Sequence, residues 1–300
     1  MKLKFDVKYK AQADPFIFED DGKFYLFVTA GAGVEAYSAK SLTDIWHYEG
    51  VVTEFKSGHN FWAPSVIKID DAYYMYVSFN DENIGQFMHV AKASSPLGPY
   101  KDEKMLYNFF SIDSHVVQTE SGLFLWYAQN NYQGERIGTR VFVDKLLDPY
   151  TVANNPVEVI VPTFDEEKNV PCGGERPNWH TIEGPCYFKE GDYHYLMFSG
   201  GCYMNDTYHV GYAVAKTNET DLTKLEFIKH TDNGKFSPLL IKNDFEEGTG
   251  HHSVIKLGDN YYAIYHARDY GADKFDRTGR VCKLFVKDGI ISVEVKENEL

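Results

Sequence analysis

One hairpin pattern occurs five times along the chain, and this repetition limits the folds that the chain can adopt. Each copy has an apolar strand of four to six residues, an acidic or glycine-containing turn, and a second strand rich in aromatic residues; the copies are residues 13–27, 62–76, 112–126, 182–198 and 250–265. The second residues of the copies lie 49 to 70 residues apart and are Asp14, Ala63, Asp113, Glu183 and His251. This spacing holds about four short strands with their turns, the unit of one β-propeller blade. The pattern therefore predicts an all-β, five-bladed β-propeller.

The segments between the copies support four strands in each blade. Residues 85–100 and 208–222 each have a strand with small residues followed by a turn-forming cluster, as expected for a third strand and the way to a fourth. A β-sandwich or jelly roll would also be rich in strands but would not repeat five times. Because propeller blades have no independent cores, we expect residues 1–300 to form one domain around a central cavity. Residues 161–181 form a predicted insertion before the fourth hairpin, and long loops in compact domains are usually functional.

Charge and hydropathy exclude two classes of partner. The chain has 30 Lys and Arg residues against 44 Asp and Glu residues, a net charge of −14 that repels nucleic-acid phosphates. Residues 1–10 resemble neither a secretion signal nor a membrane anchor, which predicts a cytoplasmic protein, or a secreted one if a signal segment has been removed. The four cysteines, Cys172, Cys186, Cys202 and Cys282, show no CxxC spacing. In a chain this long without a visible secretion signal we expect them to be reduced thiols rather than two bridges.

The repeat predicts where the acidic side chains meet. The first strand of each propeller blade lines the central channel, so Asp14, Asp113, Glu183 and His251 should face one shared cavity. Three carboxyl groups in a partly desolvated cavity cannot all be ionised, and at least one should stay protonated near neutral pH. One protonated and one ionised carboxyl group is the arrangement for acid–base hydrolysis of a glycosidic bond; a separation of roughly 6.5–9.5 Å leads to inversion.

The order of the motifs resembles family 43 of the glycoside hydrolases, five-bladed propeller enzymes that cleave arabinose- and xylose-containing glycans. The resemblance covers nearly the whole chain and depends on five short motifs at blade spacing. These are ADP at 13–15, WAP at 62–64, IDS at 112–114, EGP at 183–185 and GHHSV at 250–254.

The resemblance implies a role for each of five residues. Asp14 would be the general base, Glu183 the general acid, and Asp113 the residue that holds the acid and keeps its pKa high. His251 matches a central histidine that in several members contacts an ion at the propeller hub, often calcium, or a water. The family therefore implies a possible structural calcium and no required cofactor. Arg268, in the motif YHAR, matches an arginine that lies near the sugar and the carboxylates in similar enzymes.

Three aromatic residues are candidate substrate contacts. Trp62 adjoins the second hub position, where its ring could give an apolar face for a pentose. Phe61 and Trp179 are weaker candidates for the same kind of contact, and Trp179 lies in the insertion just before the EGP motif.

The family contains several activities on one fold, so the carboxylates do not determine the substrate. The absence of a signal suggests short imported oligosaccharides, and the insertion could close one end of a groove. We therefore expect an inverting, exo-acting pentosidase, with α-L-arabinofuranosidase ahead of β-xylosidase. The alternatives are an endo-acting arabinanase with an open groove and a propeller that binds a glycan or a protein without catalysis. Fructan-cleaving propellers also carry three acidic residues, but they use a carboxylate nucleophile and retain configuration.

Overall fold

Five antiparallel sheets are arranged around one axis. The computed structural model describes residues 1–8, 10–81, 84–170 and 178–300. In this part of the chain the first blade contains β1 (Lys4–Phe5), β2 (Phe16–Asp20), β3 (Lys23–Val28), β4 (Glu35–Ala39) and β5 (Ile45–Val51). The second contains β6 (His59–Ile69), β7 (Ala72–Asn80), β8 (Gln86–Ala93) and β9 (Lys101–Met105). The third contains β10 (Ser111–Thr119), β11 (Gly122–Asn131), β12 (Gly138–Asp148), β13 (Thr151–Val152) and β14 (Val157–Ile160).

The last two blades have four strands each. The fourth contains β15 (Ile182–Glu190), β16 (Tyr193–Gly200), β17 (His209–Lys216) and β18 (Ile228–Lys229), and the fifth β19 (Glu246–Leu257), β20 (Asn260–Asp269), β21 (Thr278–Lys287) and β22 (Ile290–Glu294). The helices within the described residues are two 3-10 turns, Asp165–Glu167 and Leu222–Lys224. No helix in this part of the chain has the length and apolarity needed to cross a lipid bilayer.

The first strands of the blades close a ring. Within each blade consecutive strands are neighbours, and the first strands β2, β6, β10, β15 and β19 contact one another in that order, with β19 returning to β2. This cyclic contact confirms the predicted five-bladed propeller. It also places the beginnings of all five first strands at the same end of the axis.

The apolar cores lie between blades rather than within them. Each of the five clusters of buried side chains combines residues from two neighbouring blades, including the pair of the first and last. Trp126 of the third blade and Leu196 of the fourth, for example, belong to one cluster and are both fully buried. A single blade therefore has no core of its own, and each blade is stabilised by its neighbours.

Residues 1–5 join the first and last blades. The Leu3 N–H donates to the Gly279 carbonyl at 2.9 Å, and the Val281 N–H donates to the Met1 carbonyl at 2.8 Å. Strand β1 then pairs in parallel with β5 on the outer edge of the first blade. The Leu3 side chain is buried in the cluster that these two blades share. This short segment therefore bridges the junction at which the ring closes.

A left-handed residue occurs at the start of every first strand. The φ angles there are positive, at 53° for Asp14, 44° for Ala63, 62° for Asp113, 58° for Gly184 and 43° for His251. In β6, β10, β15 and β19 this residue lies within a shift of the strand register, which is typical of a β-bulge. The left-handed residue thus recurs in all five blades, and in four of them a bulge turns the backbone at the cavity end of the strand.

The bulges correct the alignment of the fourth repeat. The sequence comparison placed Glu183 at the position of Asp14 and Asp113, but the left-handed residue of that blade is Gly184. Glu183 lies one residue earlier, at the position of Trp62 and Ile112. The acidic side chain therefore reaches the cavity from the neighbouring position of the repeat.

The expectation of four reduced thiols is wrong at Cys202, which is disulfide-bonded. Cys186 and Cys282 are free and buried, so they are inert packing residues, as reduced thiols in cores usually are. Cys172, like residues 171–177 of the predicted insertion, lies outside the described residues.

The described parts of the insertion are anchored to the fourth blade. Lys229 Nζ lies 2.5 Å from Glu167 Oε1, and both side chains are buried. The Glu167 carboxylate also accepts the Thr163 N–H at 2.6 Å, and the Thr181 N–H donates to the Glu167 carbonyl at 2.9 Å. The insertion thus packs closely at both of its described ends.

We predict that Leu3→Ala lowers the free energy of unfolding by about 2–4 kcal/mol, because it opens a void in the core at which the ring closes. The matched control is Leu147→Ala, since Leu147 is 68% exposed and should change stability by no more than about 0.5 kcal/mol. Urea unfolding followed by tryptophan fluorescence measures both. Equal effects of the two substitutions would contradict the role of the closing segment.

Candidate active site

A cavity of about 150 Å³ opens at the end of the axis where the first strands begin. All five blades contribute to it, through the starts of first strands and the loops beside them. The lining residues are Asp14, Thr29, Trp62, Ile112, Asp113, Glu183, Tyr203, Tyr208, His251 and Arg277. The volume is small beside the roughly 300–1,000 Å³ of a pocket that encloses a whole drug-sized ligand. The cavity therefore suits a single small polar ring.

Asp14 is held as an ionised carboxylate. Its Oδ2 accepts the Thr29 hydroxyl at 2.6 Å, and its Oδ1 lies 3.2 Å from Arg277 Nη1. Burial opposes ionisation, but the Arg277 guanidinium beside it holds the pKa of Asp14 well below its usual value. Thr29 Oγ1 also accepts the Ala63 N–H at 2.9 Å, which ties the first blade to the second.

His266 supports Asp14 through the backbone. The Asp14 N–H donates to His266 Nδ1 at 3.1 Å, so this ring nitrogen is an acceptor. Nδ1 also lies 3.3 Å from Asp14 Oδ1. Because Nδ1 accepts a hydrogen bond, it carries no hydrogen that it could donate to the carboxylate. Burial lowers the pKa of His266 to about 4, in agreement with a neutral ring.

Glu183 faces the cavity from the start of β15. The Tyr208 hydroxyl donates to its Oε1 at 2.7 Å. Burial raises the pKa of Glu183 to about 7; the Tyr208 hydrogen bond opposes this shift, and the charge of Asp14 adds to it. A carboxyl group of this kind keeps a proton to donate up to neutral pH.

The pKa of Asp113 depends on both of these carboxyl groups. Burial, and then the charges of Glu183 and Asp14, raise the pKa of Asp113 well above its usual value. Its Oδ2 accepts the Gly184 N–H at 3.0 Å, which fixes the backbone directly after Glu183. Asp113 therefore contacts the backbone of the strand that carries Glu183.

His251 lies between the two aspartates. Its Nδ1 is 3.6 Å from Asp14 Oδ1 and 3.9 Å from Asp113 Oδ2. Burial lowers the pKa of His251 although Asp14 opposes this, so the neutral ring is favoured. The described residues contain no group of three or more His, Cys, Asp or Glu side chains placed to hold a metal ion. Calcium prefers oxygen ligands, and a single histidine would need waters to complete its shell, so the structural calcium that the resemblance implies stays a prediction.

The structure brings together most of the sequence-predicted site. Asp14, Asp113, Glu183, His251 and Trp62 all line the cavity. Trp62 is 37% exposed, so part of its ring is free to contact a ligand at the cavity mouth.

Three predicted contacts lie elsewhere among the described residues. Phe61 is buried in the core between the first two blades, where its ring centroid is 4.8 Å from that of Phe79. Trp179 packs against Tyr132 at 5.5 Å, outside the cavity lining. Arg268 is also outside the lining; it donates to Glu247 at 3.0 Å and to the Tyr203 carbonyl at 3.2 Å, so it supports the cavity wall from behind.

Sequence reasoning missed Arg277, Tyr208, Tyr203 and Thr29. Arg277 precedes β21 and reaches Asp14 because the ring closes; its carbonyl accepts the Gln12 N–H at 2.8 Å. Its guanidinium lies 4.9 Å from the centre of the Tyr203 ring. The hairpin repeat contains no signal for these residues, because they lie in the loops that follow second strands or precede third strands. In a closed ring the first and last blades are neighbours, and this alone indicates that residues near β21, such as Arg277, can reach Asp14.

Comparison with known proteins agrees with this geometry. The sequence profile described as Glycosyl hydrolases family 43 matches residues 7–290. Over 289 residues the chain is 24% identical to the extracellular exo-α-(1→5)-L-arabinofuranosidase of Streptomyces avermitilis, covering 86% of this chain and 55% of that protein. It thus spans about half the length of that relative.

Two further proteins align over most of their own length. The chain is 24% identical over 291 residues to a probable arabinan endo-1,5-α-L-arabinosidase C of Neosartorya fischeri, covering 84% of this chain and 81% of that protein. A crystal structure of a thermostable family-43 glycoside hydrolase is similar with a TM-score of 0.82 and 26% identity, covering 96% of this chain and 94% of the other. The profile, the five-bladed fold and the carboxylates gathered in one cavity agree, and the chain belongs to family 43 of the glycosyl hydrolases.

Proposed function

We propose that this glycoside hydrolase removes terminal pentose units, α-L-arabinofuranose in first place, from short oligosaccharides with inversion of configuration. The observation that carries the proposal is the separation of protonation states in one buried cavity. Asp14 is held ionised beside Arg277, while Glu183 keeps its proton towards neutral pH. This pair is what acid–base hydrolysis of a glycosidic bond requires.

Each group then has one task in the reaction. Asp14 draws a proton from the attacking water, which adds to the anomeric carbon. Glu183 gives its proton to the leaving glycosidic oxygen as that bond breaks. Asp113 fixes the backbone at Gly184, directly after Glu183. His251 and Arg277 orient the carboxylate of Asp14.

Two observations support a terminal pentose as the substrate unit. The cavity has room for a single small ring, and Trp62 offers an apolar face at its mouth. The Streptomyces relative is named an exo-acting arabinofuranosidase, which favours arabinose over xylose. The second candidate is endo-action on arabinan, because the Neosartorya relative is named an endo-arabinosidase.

We predict that Asp14→Asn and Glu183→Gln each lower kcat/KM on aryl pentosides by about 10²–10⁴-fold. The loss in Glu183→Gln should shrink for leaving groups that need little proton donation, whereas the loss in Asp14→Asn should not. The matched controls are Asp20→Asn and Glu190→Gln, whose carboxylates pair with Lys68 and Lys256 at the far ends of the same strands. Near-normal turnover in either site variant would reject the assignment.

The pH dependence of kcat/KM should be bell-shaped, with its basic limb near pH 7. A general acid is lost as it deprotonates, so activity should fall as pH rises through the raised pKa of Glu183, about 7. A general base is lost as it protonates, and because the pKa of Asp14 is lowered, the acid limb should lie below the ordinary value of about 3.9. Steady-state rates across this range test both limbs. Activity that still rises between pH 7 and pH 9 would contradict the role of Glu183.

Product analysis should separate the remaining alternatives. We expect proton NMR to show first the anomer inverted relative to the substrate, with arabinose as the first sugar released from arabino-oligosaccharides. Xylo-oligosaccharides, tested in parallel, should be cleaved more slowly. A retained anomer would reject the inverting mechanism, and early release of oligomers instead of monomer would favour endo-action.

A further inference from the structure

Tyr208 contacts the proposed acid, Glu183, directly, and the catalytic steps proposed above assign it no role. It precedes β17, is 1% exposed, and donates its hydroxyl to Glu183 Oε1 at 2.7 Å. We propose that Tyr208 is a positioning residue that holds Glu183 so that its second oxygen carries the proton transferred to the leaving group. This inference builds on the proposed function, because it specifies how the same acid is oriented.

The surroundings give the Tyr208 ring one position. It stacks on His266 with ring centroids 5.6 Å apart and an angle of 12° between the planes. Gly250, which pairs with His266 across β19 and β20, is also close to the ring: an added Cβ there would lie 2.0 Å from Tyr208 Cε1. Any larger residue at position 250 would therefore displace the ring. A ring confined in this way brings its hydroxyl to a defined point on Glu183.

The hydrogen bond has a defined direction. Burial, with the charges of Glu183, Asp14 and Asp113, raises the pKa of Tyr208 well above its usual value, so the hydroxyl stays a donor at working pH. Because Oε1 accepts this hydrogen bond, the proton of Glu183 belongs on Oε2. The bond also favours the ionised form of Glu183 and so opposes the effect of burial.

The same ring connects the acid to the base. His266, on which Tyr208 stacks, accepts the Asp14 N–H through Nδ1. Two hydrogen bonds and one ring stack thus join Glu183 of the fourth blade to Asp14 of the first through Tyr208 and His266. The titratable and charged groups around Glu183 at the cavity are Asp14, Asp113, Tyr203, Tyr208, His251 and Arg277.

Tyr208→Phe removes the hydroxyl and keeps the ring, so it tests the proposal. We expect the basic limb of kcat/KM to move up by about one pH unit, because the ionised form of Glu183 loses a hydrogen bond. At pH 5 the loss of kcat/KM should be about tenfold larger for poor leaving groups than for good ones, as expected when proton donation is impaired. Infrared titration of the carboxyl band that Glu183→Gln removes reads the same pKa without substrate.

The matched control is Tyr212→Phe. Tyr212 lies in β17, the strand that Tyr208 directly precedes, and is buried. Its hydroxyl accepts the Ile291 N–H at 3.2 Å, away from the cavity. This substitution should leave the basic limb and the dependence on leaving group unchanged. If Tyr208→Phe does not fold, as judged by circular dichroism, 3-fluorotyrosine at position 208 keeps the ring and gives a stronger donor. It should then move the basic limb to lower pH.

The outcomes distinguish the two proposals. An unmoved basic limb, with an equal loss of rate for all leaving groups in Tyr208→Phe, would overturn the positioning role and leave Tyr208 a packing residue. An unmoved limb in the fluorotyrosine protein would have the same meaning. Wild-type protein without pentosidase turnover, or full turnover in Glu183→Gln, would instead reject the proposed function itself.

Discussion

The site depends on closure of the ring formed by the five first strands. No blade has its own core, and each junction between neighbouring blades supplies the burial that keeps both in place. At the junction of the first and last blades, residues 1–5 form the outer contacts. The same junction brings Arg277 to Asp14, so the charge balance of the proposed base exists only in the closed ring.

Three buried carboxyl groups share a cavity in which, among the described lining residues, Arg277 is the one permanent cation. The position of Arg277, rather than the number of acidic groups, determines which carboxyl group is ionised and which are protonated. Asp14 lies against the guanidinium and stays ionised, whereas burial favours the protonated forms of Asp113 and Glu183. The proposed acid and the proposed base are thus distinguished by what surrounds each carboxyl group, although all three carboxyl groups come from equivalent or adjacent positions of the repeat.

The fold was predictable because each copy of the hairpin repeat lies within one short stretch of the sequence, and the spacing of the copies corresponds to one blade. The same repeat located Asp14 and Asp113 correctly, but its alignment of Glu183 was one residue off. The left-handed position of that blade is taken by Gly184, and a bulge cannot be counted from residue types alone. Arg277 and Tyr208 were missed because they directly precede third strands and reach the cavity through tertiary contacts that no short motif encodes. Arg268 was preferred for its motif, yet it lies behind the wall that Arg277 lines.

The raised pKa of Glu183 also has a consequence for folding. The folded protein keeps this proton up to about pH 7, whereas the pKa of the free side chain is 4.5. The stability from this group is therefore fully present below about pH 4.5, declines as the pH rises from there, and is lost once the pH passes about 7. The weakening of the native state from pH 4.5 to pH 7 and the loss of the proposed acid near pH 7 then have a common origin in the proton of Glu183.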